Sequence, residues 1–379
     1  MAEITFLNNP ELKTILTDWK GNPFANGRFI DPHKRFGGTF RKFLQWKSSK
    51  NIKAEEKRND KWRLTLKKGN EFLKQEANCI VWLGHASFFL QLNGTKILID
   101  PVFGKISGIV PRYSELPCAV EDFTGIDYVL VSHAHRDHCD KSSLQKIFVQ
   151  NNAAVLLTSL NTGKLVSGWM NDLHFQEAGW YQQFNMKEKN LKITFLPTQH
   201  WSNRYMTDIN KTLYGSFMIE ADGLNIFFNG DSGYCSYPKQ IDELFPNIDI
   251  AMIGVGAYHP PLMMKDVHTN PYEAVQIFHD LKAKTFIPMH YGTFDLADEP
   301  LGEPYRILNE DRSHWSYQKR LNALKRDCQA LSNEFSQKVE LKNLNDENQS
   351  KKPGKMIVVR EKMEAIKEIL QYYNPMLQV

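Results

Sequence analysis

A chain of 379 residues with 42% apolar and 24% charged residues has the balance of a globular protein with a sizeable core, which excludes a disordered or fibrous chain. A formal net charge of +4 is too mild to imply nucleic acid as a partner, and the sequence holds no dedicated basic arm or aromatic stacking module. No stretch approaches the ~20 apolar residues of a spanning helix, so any membrane contact is expected from the surface.

The five cysteines, Cys79, Cys118, Cys139, Cys235 and Cys328, are scattered and include no C-x-x-C. No disulfide framework is expected, and a reducing compartment fits. The start, Met-Ala-Glu-Ile-Thr-Phe-Leu, lacks the basic and apolar regions of a secretory signal. A cytoplasmic location is expected, with the inner membrane face as a peripheral site.

Residues 1–75 read as a helical or irregular extension packing on the core. Phe36 to Trp46 predicts an amphipathic helix with Phe40, Phe43 and Trp46 near one side. Residues 34–74 are basic, with Lys34, Arg35, Arg41, Lys42, Lys47, Lys50 and Lys53 among them. Such a face fits either anionic lipid head groups or a solvated helix surface.

A second region is expected over residues 76–340. Cys79–Leu83 and Ser87–Leu92 predict strands, Asn93-Gly94 a hairpin turn, and Lys96–Asp100 the returning strand. Tyr128–Ser132 predicts a buried strand and Lys141–Gln150 a helix. The layout then repeats loosely. Strands are expected at 154–157, 191–196, 216–220, 224–229, 248–254 and 285–289, with helices at 161–169 and 271–281. Helices flanking two groups of strands predict an α/β sandwich of the αββα kind, two facing mixed sheets with helices outside. Residues 305–339 read as mostly helical. Residues 341–379 form a third region: a polar linker at 343–354, then an amphipathic helix from Met356 to Tyr373. That helix docks on the body, joins a second subunit in a homodimer, or stays loose.

The chemistry concentrates in His133-Ala-His135-Arg-Asp137-His138, directly after the apolar run Tyr128–Val131. Neutral imidazoles and a carboxylate are the ligands that a borderline divalent ion such as zinc prefers. Later strands end in further candidates: His200, Asp231 and His290. Loops at strand termini are where rigid sheets deliver functional groups. Two ions ~3.5–4 Å apart need a bridging carboxylate and several nitrogens. His133, His135 and His200 suit the first ion, Asp137, His138 and His290 the second, and Asp231 the bridge. Zinc lowers the pKa of bound water to about 7, which provides a nucleophile at neutral pH. Gly230 and Gly233 let the backbone approach closely. Manganese or iron satisfies the same donors.

H-x-H-x-D-H with later His, Asp and His resembles the metallo-β-lactamase superfamily. Longer stretches resemble, more particularly, the N-acyl-phosphatidylethanolamine-hydrolysing phospholipase D enzymes. They are Trp82-Leu-Gly-His-Ala-Ser87, Ile99-Asp-Pro-Val-Phe103, Ser132 to His138, Gln199-His-Trp201, Gly230-Asp-Ser-Gly-Tyr-Cys235, Gly256-Ala-Tyr258 and His290-Tyr-Gly-Thr-Phe294. The resemblance runs from about residue 80 to about residue 308. It implies the metallo-β-lactamase fold, two zinc ions, and cleavage of a phospholipid phosphodiester to phosphatidic acid and an N-acylethanolamine. It also implies that His133, His135, Asp137, His138, His200, Asp231 and His290 are the metal ligands. His268 falls where the family carries an active-site histidine. Val267 stands where mammalian members carry glutamine, so the resemblance does not extend to that position.

Asp137, Asp231 and His268 are the candidate catalytic groups. Asp100 ends a strand and is expected to accept a hydrogen bond from a ligand imidazole. His85 either lines the site or packs at a strand end. Tyr258 either reaches a phosphate oxygen or packs. His259, His279 and His314 read as structural, and Cys139 as a small buried residue. A competing reading is a hydrolase of a small soluble ester, lactone or phosphodiester. Another is a non-enzymatic metal-binding protein, against which the complete ligand set argues.

Overall fold

The computed structural model describes residues 3–30, 46, 48–205 and 207–309. The expected helix at 36–46 apart from Trp46, the helix at 356–373, the linker at 343–354 and most of the helical stretch at 305–339 lie outside the described residues. So do His314, Cys328 and the basic residues Lys34, Arg35, Arg41, Lys42 and Lys47. The elements below belong to a compact unit, Met1–Leu308.

The chain opens with β1 (Thr5–Leu7), β2 (Lys13–Thr14), β3 (Asn22–Ala25), β4 (Arg28–Phe29) and helix α1 (Ala54–Asn59). The extension expected to be helical or irregular over residues 1–75 therefore carries strands as well. β1, β3 and β4 form a small antiparallel sheet, and β2 joins the edge of a larger one. Strands of two to four residues are too short to show an alternating pattern, which is why the sequence does not mark them.

The first main sheet contains β5 (Cys79–Gly84), β6 (Ser87–Leu92), β7 (Thr95–Ile99), β8 (Tyr128–Val131), β9 (Val155–Ser159) and β10 (His174–Ala178). Its order is β10-β9-β8-β7-β6-β5. The second contains β11 (Gln182–Gln183), β12 (Leu191–Leu196), β13 (Ser216–Ala221), β14 (Leu224–Phe228), β15 (Ile250–Gly254) and β16 (Thr285–Met289). Its order is β16-β15-β14-β13-β12-β11-β2. Helices α2 (Lys141–Gln150) and α3 (Thr162–Ser167) belong to the first half. Helices α4 (Tyr237–Leu244), α5 (Pro261–Met264), α6 (Pro271–Asp280) and α7 (Glu303–Asn309) follow in the second. This is the expected α/β sandwich; β10, β11, α4 and α5 are additions to the expected list.

Strand parity decides where the site lies. β7 and β8 are parallel, and β5 reaches β7 through two antiparallel steps, so all three end at one edge. β14, β15 and β16 are parallel, and β12 reaches β14 through two antiparallel steps. Residues that follow these seven strands therefore gather at two sheet edges. His290 N–H donates to His85 O (2.9 Å) and joins one edge to the other.

Alternation along the strands builds two apolar layers. Phe88, Leu90, Ile97, Ile99, Tyr128 and Leu130 face inward, packed with Ile193, Phe195, Phe217, Ile219 and Phe227 of the second sheet. Phe88 meets Phe228 edge-on across the gap at 6.2 Å. Phe89, Leu98, Val129, Val131 and Leu156 point the other way, against Leu144, Ile147 and Val166 of α2 and α3. Burial on both faces explains why β8 reads as an unbroken apolar run and β6 as a mostly apolar one. Asp140 caps α2 by accepting from Ser143 N–H (2.8 Å), which fixes the chain as it leaves the 133–138 cluster.

Gln182 ties the N-terminal segment to the second sheet. Its Oε1 accepts from Asn9 N–H and Gly179 N–H, both at 2.9 Å, and its Nε2 donates to Asn9 O (2.8 Å). The side chain is buried. Gln182→Leu strands both N–H groups, so urea unfolding is expected to show a loss of ~1–3 kcal/mol. An unchanged midpoint would mean that the segment is held by other contacts.

Candidate metal centre

Each candidate ligand leaves the end of a strand. His85 follows β5, Asp100 follows β7, and the 133–138 cluster follows β8. His200 comes four residues after β12, Asp231 three after β14, and His290 directly after β16. The cluster closes on itself as a tight turn, with His138 N–H and Cys139 N–H donating to His135 O at 3.1 and 2.8 Å. Arg204, a residue that no pattern in the sequence marks, holds the turn from outside. Its Nη1 donates to Cys139 O (2.6 Å) and Ala134 O (3.3 Å), and its guanidinium lies 4.3 Å from the Trp169 ring centroid. Cys139 itself is buried, with its thiol pushed up to about 12 by burial. Gly230 has φ +58°, and a Cβ there would come within 2.6 Å of Gly215 O, so the bend into Asp231 needs glycine.

The structure brings the candidate ligands into overlapping groups whose donor atoms all lie within 4.8 Å of one another. One group is His133, His135, His200 and Asp231; a second is His85, Asp137, His138 and His290; a third is Asp231, His268 and His290. Asp231 touches both main groups. Its Oδ2 lies 3.1 Å from His138 Nε2, 3.7 Å from His200 Nε2 and 3.9 Å from His133 Nε2, while Oδ1 lies 3.3 Å from His290 Nε2. His268 Nδ1 stands 3.8 Å from Asp231 Oδ2. Asp137 Oδ2 is 3.0 Å from His85 Nε2 and 3.5 Å from both His138 Nε2 and His290 Nε2. His85 is thus placed inside the second group.

These donors fit divalent cations. His135 Nδ1 lies 2.9 Å from His133 Nε2 and 3.1 Å from His200 Nε2. Nitrogens around a tetrahedral ion at ~2.0–2.1 Å stand about 3.3 Å apart, close to this spacing. His135 Nε2, His138 Nε2 and both ring nitrogens of His290 are buried without a hydrogen-bond partner. Buried polar atoms are otherwise satisfied almost everywhere in proteins, so orphans grouped at one point fit a bound electrophile.

The charges show the same imbalance. Burial raises the Asp231 pKa, but His138 and His290 outweigh it and hold the carboxyl well below its usual range. Asp137 is likewise held low against burial, chiefly by His138. Burial pushes His290 down, yet Asp231 and Asp137 lift it to about 9, and His138 is raised well above its usual value against the same penalty. Burial, with repulsion from His290, lowers His85 to about 3. Burial lowers His135 and His268 to about 4, and His133 and His200 well below their usual value. The carboxylates thus favour positive charge at His138 and His290, the charge that bound cations would supply.

An outer layer sets the tautomers. Asp100 Oδ2 accepts from His138 Nδ1 (2.7 Å) and from Ser132 Oγ (2.6 Å), and Oδ1 accepts from Ser132 N–H (2.8 Å). Because the Ser132 hydroxyl hydrogen is committed to Asp100, its oxygen accepts from His133 Nδ1 (2.9 Å). His200 Nδ1 donates to Val267 O (2.9 Å). Each of these histidines therefore keeps an Nε2 lone pair for the centre. Val267 thus serves through its backbone carbonyl. Ser132 lies inside the sequence motif, yet only the fold reveals that it relays Asp100 to His133. Tyr258 has a structural anchor instead of a place in the cluster: its hydroxyl donates to Glu303 (2.6 Å), a buried carboxylate that also binds Lys53.

A family model described as "Beta-lactamase superfamily domain" matches residues 95–291. The chain belongs to the metallo-β-lactamase superfamily. It is a metal-dependent hydrolase of that fold. Among the proteins similar to this chain is the "N-acyl-phosphatidylethanolamine-hydrolyzing phospholipase D 1" of Caenorhabditis elegans. It is 29% identical over 303 residues, covering 73% of this chain and 83% of that one. A Saccharomyces cerevisiae protein of the same designation, "mitochondrial", is 30% identical over 60% of this chain; the match spans half of its length. A "metal-dependent hydrolase" of Bacillus mycoides is 27% identical over 60% of this chain and 90% of its own. The crystal structure of a "possible metal-dependent hydrolase" of Veillonella parvula shares the fold, with a TM-score of 0.50 at 15% identity over 63% of this chain and 95% of that one. Among the described residues, no helix is long and apolar enough to cross a membrane.

Asp100→Asn removes the acceptor that orients His138 directly and His133 through Ser132. Metal affinity is expected to fall ~10–100-fold, read by competition with a chromophoric chelator. Equal affinity in the variant would show that the carboxylate plays no part in holding the ligands.

Proposed function

We propose that this superfamily member is a two-metal phosphodiesterase that cleaves N-acyl-phosphatidylethanolamine, or a closely related phospholipid, with zinc as its metal. The products are phosphatidic acid and an N-acylethanolamine. The observation that carries the chemistry is the position of Asp231 between two groups of imidazoles. The substrate class is supported by the designations of the Caenorhabditis elegans and Saccharomyces cerevisiae relatives and by the matching stretches around His85, Asp231 and His290.

His133, His135 and His200 would hold one ion, Asp137, His138 and His290 the other, and Asp231 both. When bound, such ions supply a nucleophilic water at neutral pH and neutralise charge on phosphate oxygens. The protein's own groups provide the rest. Asp231 fixes the spacing of the two groups, and Asp100 keeps the His138 ring in register. Asp137 Oδ2 lies among His85, His138 and His290, where it would share in holding the second ion. His268, with 15% of its side chain exposed, is placed to hydrogen-bond the substrate phosphate or the departing oxygen. In the overall reaction a water oxygen bonds to phosphorus, the bond from phosphorus to the ethanolamine oxygen breaks, and that oxygen takes a proton.

A second reading, hydrolysis of a small soluble ester, lactone or phosphodiester, is favoured by one feature. The cavity beside His85 and His290 is small, bounded by Phe294, Leu296, Leu301 and Glu299. Mass spectrometry of products from metal-replete protein separates the two readings. N-acyl-phosphatidylethanolamine in mixed micelles should yield N-acylethanolamine, and His133→Ala or Asp231→Ala should lower kcat by ~10³-fold or more, as loss of metal catalysis worth several kcal/mol requires. No lipid turnover by protein carrying both ions, alongside rapid turnover of a soluble ester, would replace the first reading with the second.

A further inference from the structure

The Gly256-Ala-Tyr258 stretch is not used by the metal groups themselves, yet it runs beside one of them. It leaves the end of β15, next to His290 at the end of the paired strand β16. Val255 N–H donates to Met289 O (2.9 Å). Gly256 packs so tightly on the His290 carbonyl oxygen that any Cβ would overlap it. The next residue, Ala257, has φ +62°, a left-handed conformation that costs an L-residue energy and persists only when its surroundings enforce it. His290 is itself at φ +65°.

The enforcing group is Glu299, a carboxylate only 8% exposed. Its Oε1 accepts from Ala257 N–H (2.5 Å) and Tyr258 N–H (3.2 Å), and its Oε2 accepts from His259 N–H (3.0 Å). Asp298 N–H donates back to His259 O (3.1 Å). The segment bearing Glu299 is braced in turn from α1 and the residues before it. Lys53 Nζ reaches both Glu303 oxygens (2.6 and 2.7 Å), Asn51 Nδ2 donates to Asp298 O (3.0 Å), and Lys57 pairs with Asp295. Glu299, His85 and His290 line the same cavity.

We propose that Glu299 is a positioning residue for the subsite of His85, Asp137, His138 and His290. Its carboxylate gathers three backbone N–H groups, fixes the left-handed turn at Ala257, and thereby fixes the carbonyl-side contact that aims the His290 ring. The proposal rests on the reading of the cluster as a metal centre and needs no particular substrate.

The test uses the full chain and cobalt(II) as a visible-absorption probe. In Glu299→Gln, one of two cobalt equivalents is expected to bind ~10–100-fold more weakly with an altered spectrum, and the other to bind as in the parent protein. kcat should fall by a similar factor, with KM changed by less than about twofold. Adding Ala257→Gly, which accepts the positive φ without strain, should restore most of the lost affinity. Gln182→Leu, a destabilising change elsewhere, should leave the spectrum unmoved. Folded Glu299→Gln protein with parental affinity and spectrum for both equivalents overturns the proposal. Should that variant not accumulate in folded form, Ala257→Val strains the same turn without removing a charge and carries the same expectation; two unaltered equivalents there overturn it equally. A parent protein that takes up no cobalt would sink the metal-centre reading itself, a different failure.

Discussion

Asp231 and Asp137 are ionised carboxylates enclosed by imidazole nitrogens, and a protein interior does not tolerate such charges without positive partners. Much of the architecture around them answers that constraint. The carboxylates raise His138 and His290 above the usual histidine value against the cost of burial. The same nitrogens would serve as lone-pair donors to bound cations. The site is therefore one electrostatic unit, in which no ligand's protonation is independent of the others.

Holding many donors at one point also requires unusual backbone. His85, Asp100, Ala257 and His290 all have positive φ, and none is glycine. Each is over-determined by its neighbours. His85 N–H donates to Thr293 Oγ1 (2.8 Å), Asp100 N–H to Leu130 O (2.9 Å), and Ala257 N–H to Glu299. Conformational energy is spent at the strand ends so that side chains turn inward, and the packed sheets beneath provide the rigidity that makes this sustainable.

Topology and site share one cause. An even number of antiparallel steps separates β5 from β7 and β12 from β14, so ligand-bearing loops gather at matching edges. The N-terminal residues then brace the second sheet's loops: Lys53, Lys57 and Asp60 reach Glu303, Asp295 and Gly302. Part of the basic character of residues 34–74 thus has an internal use. Lys53 pairs with Glu303, a buried glutamate that also receives the Tyr258 hydroxyl.

The sequence by itself determined the chemistry and the general layer order. His133, His135, Asp137 and His138 stand within six positions after an apolar run, and local spacing of that kind is visible without a fold. The strands at 87–92 and 128–131 were legible because burial on both faces leaves them mostly apolar, and Asp100 because it follows the mostly buried strand at 95–99. Only the tertiary structure decided how the ligands divide into groups, that His85 joins Asp137, that Ser132 relays Asp100 to His133, and that Glu299 holds the turn beside His290. It also decided that residues 1–30 contribute strands. The physical reason is separation along the chain: His85 and Asp137 lie 52 residues apart, and Glu299 lies 42 from Ala257. Contacts over such distances leave no periodicity in the sequence, because they are set by where packed sheets bring loop backbones together.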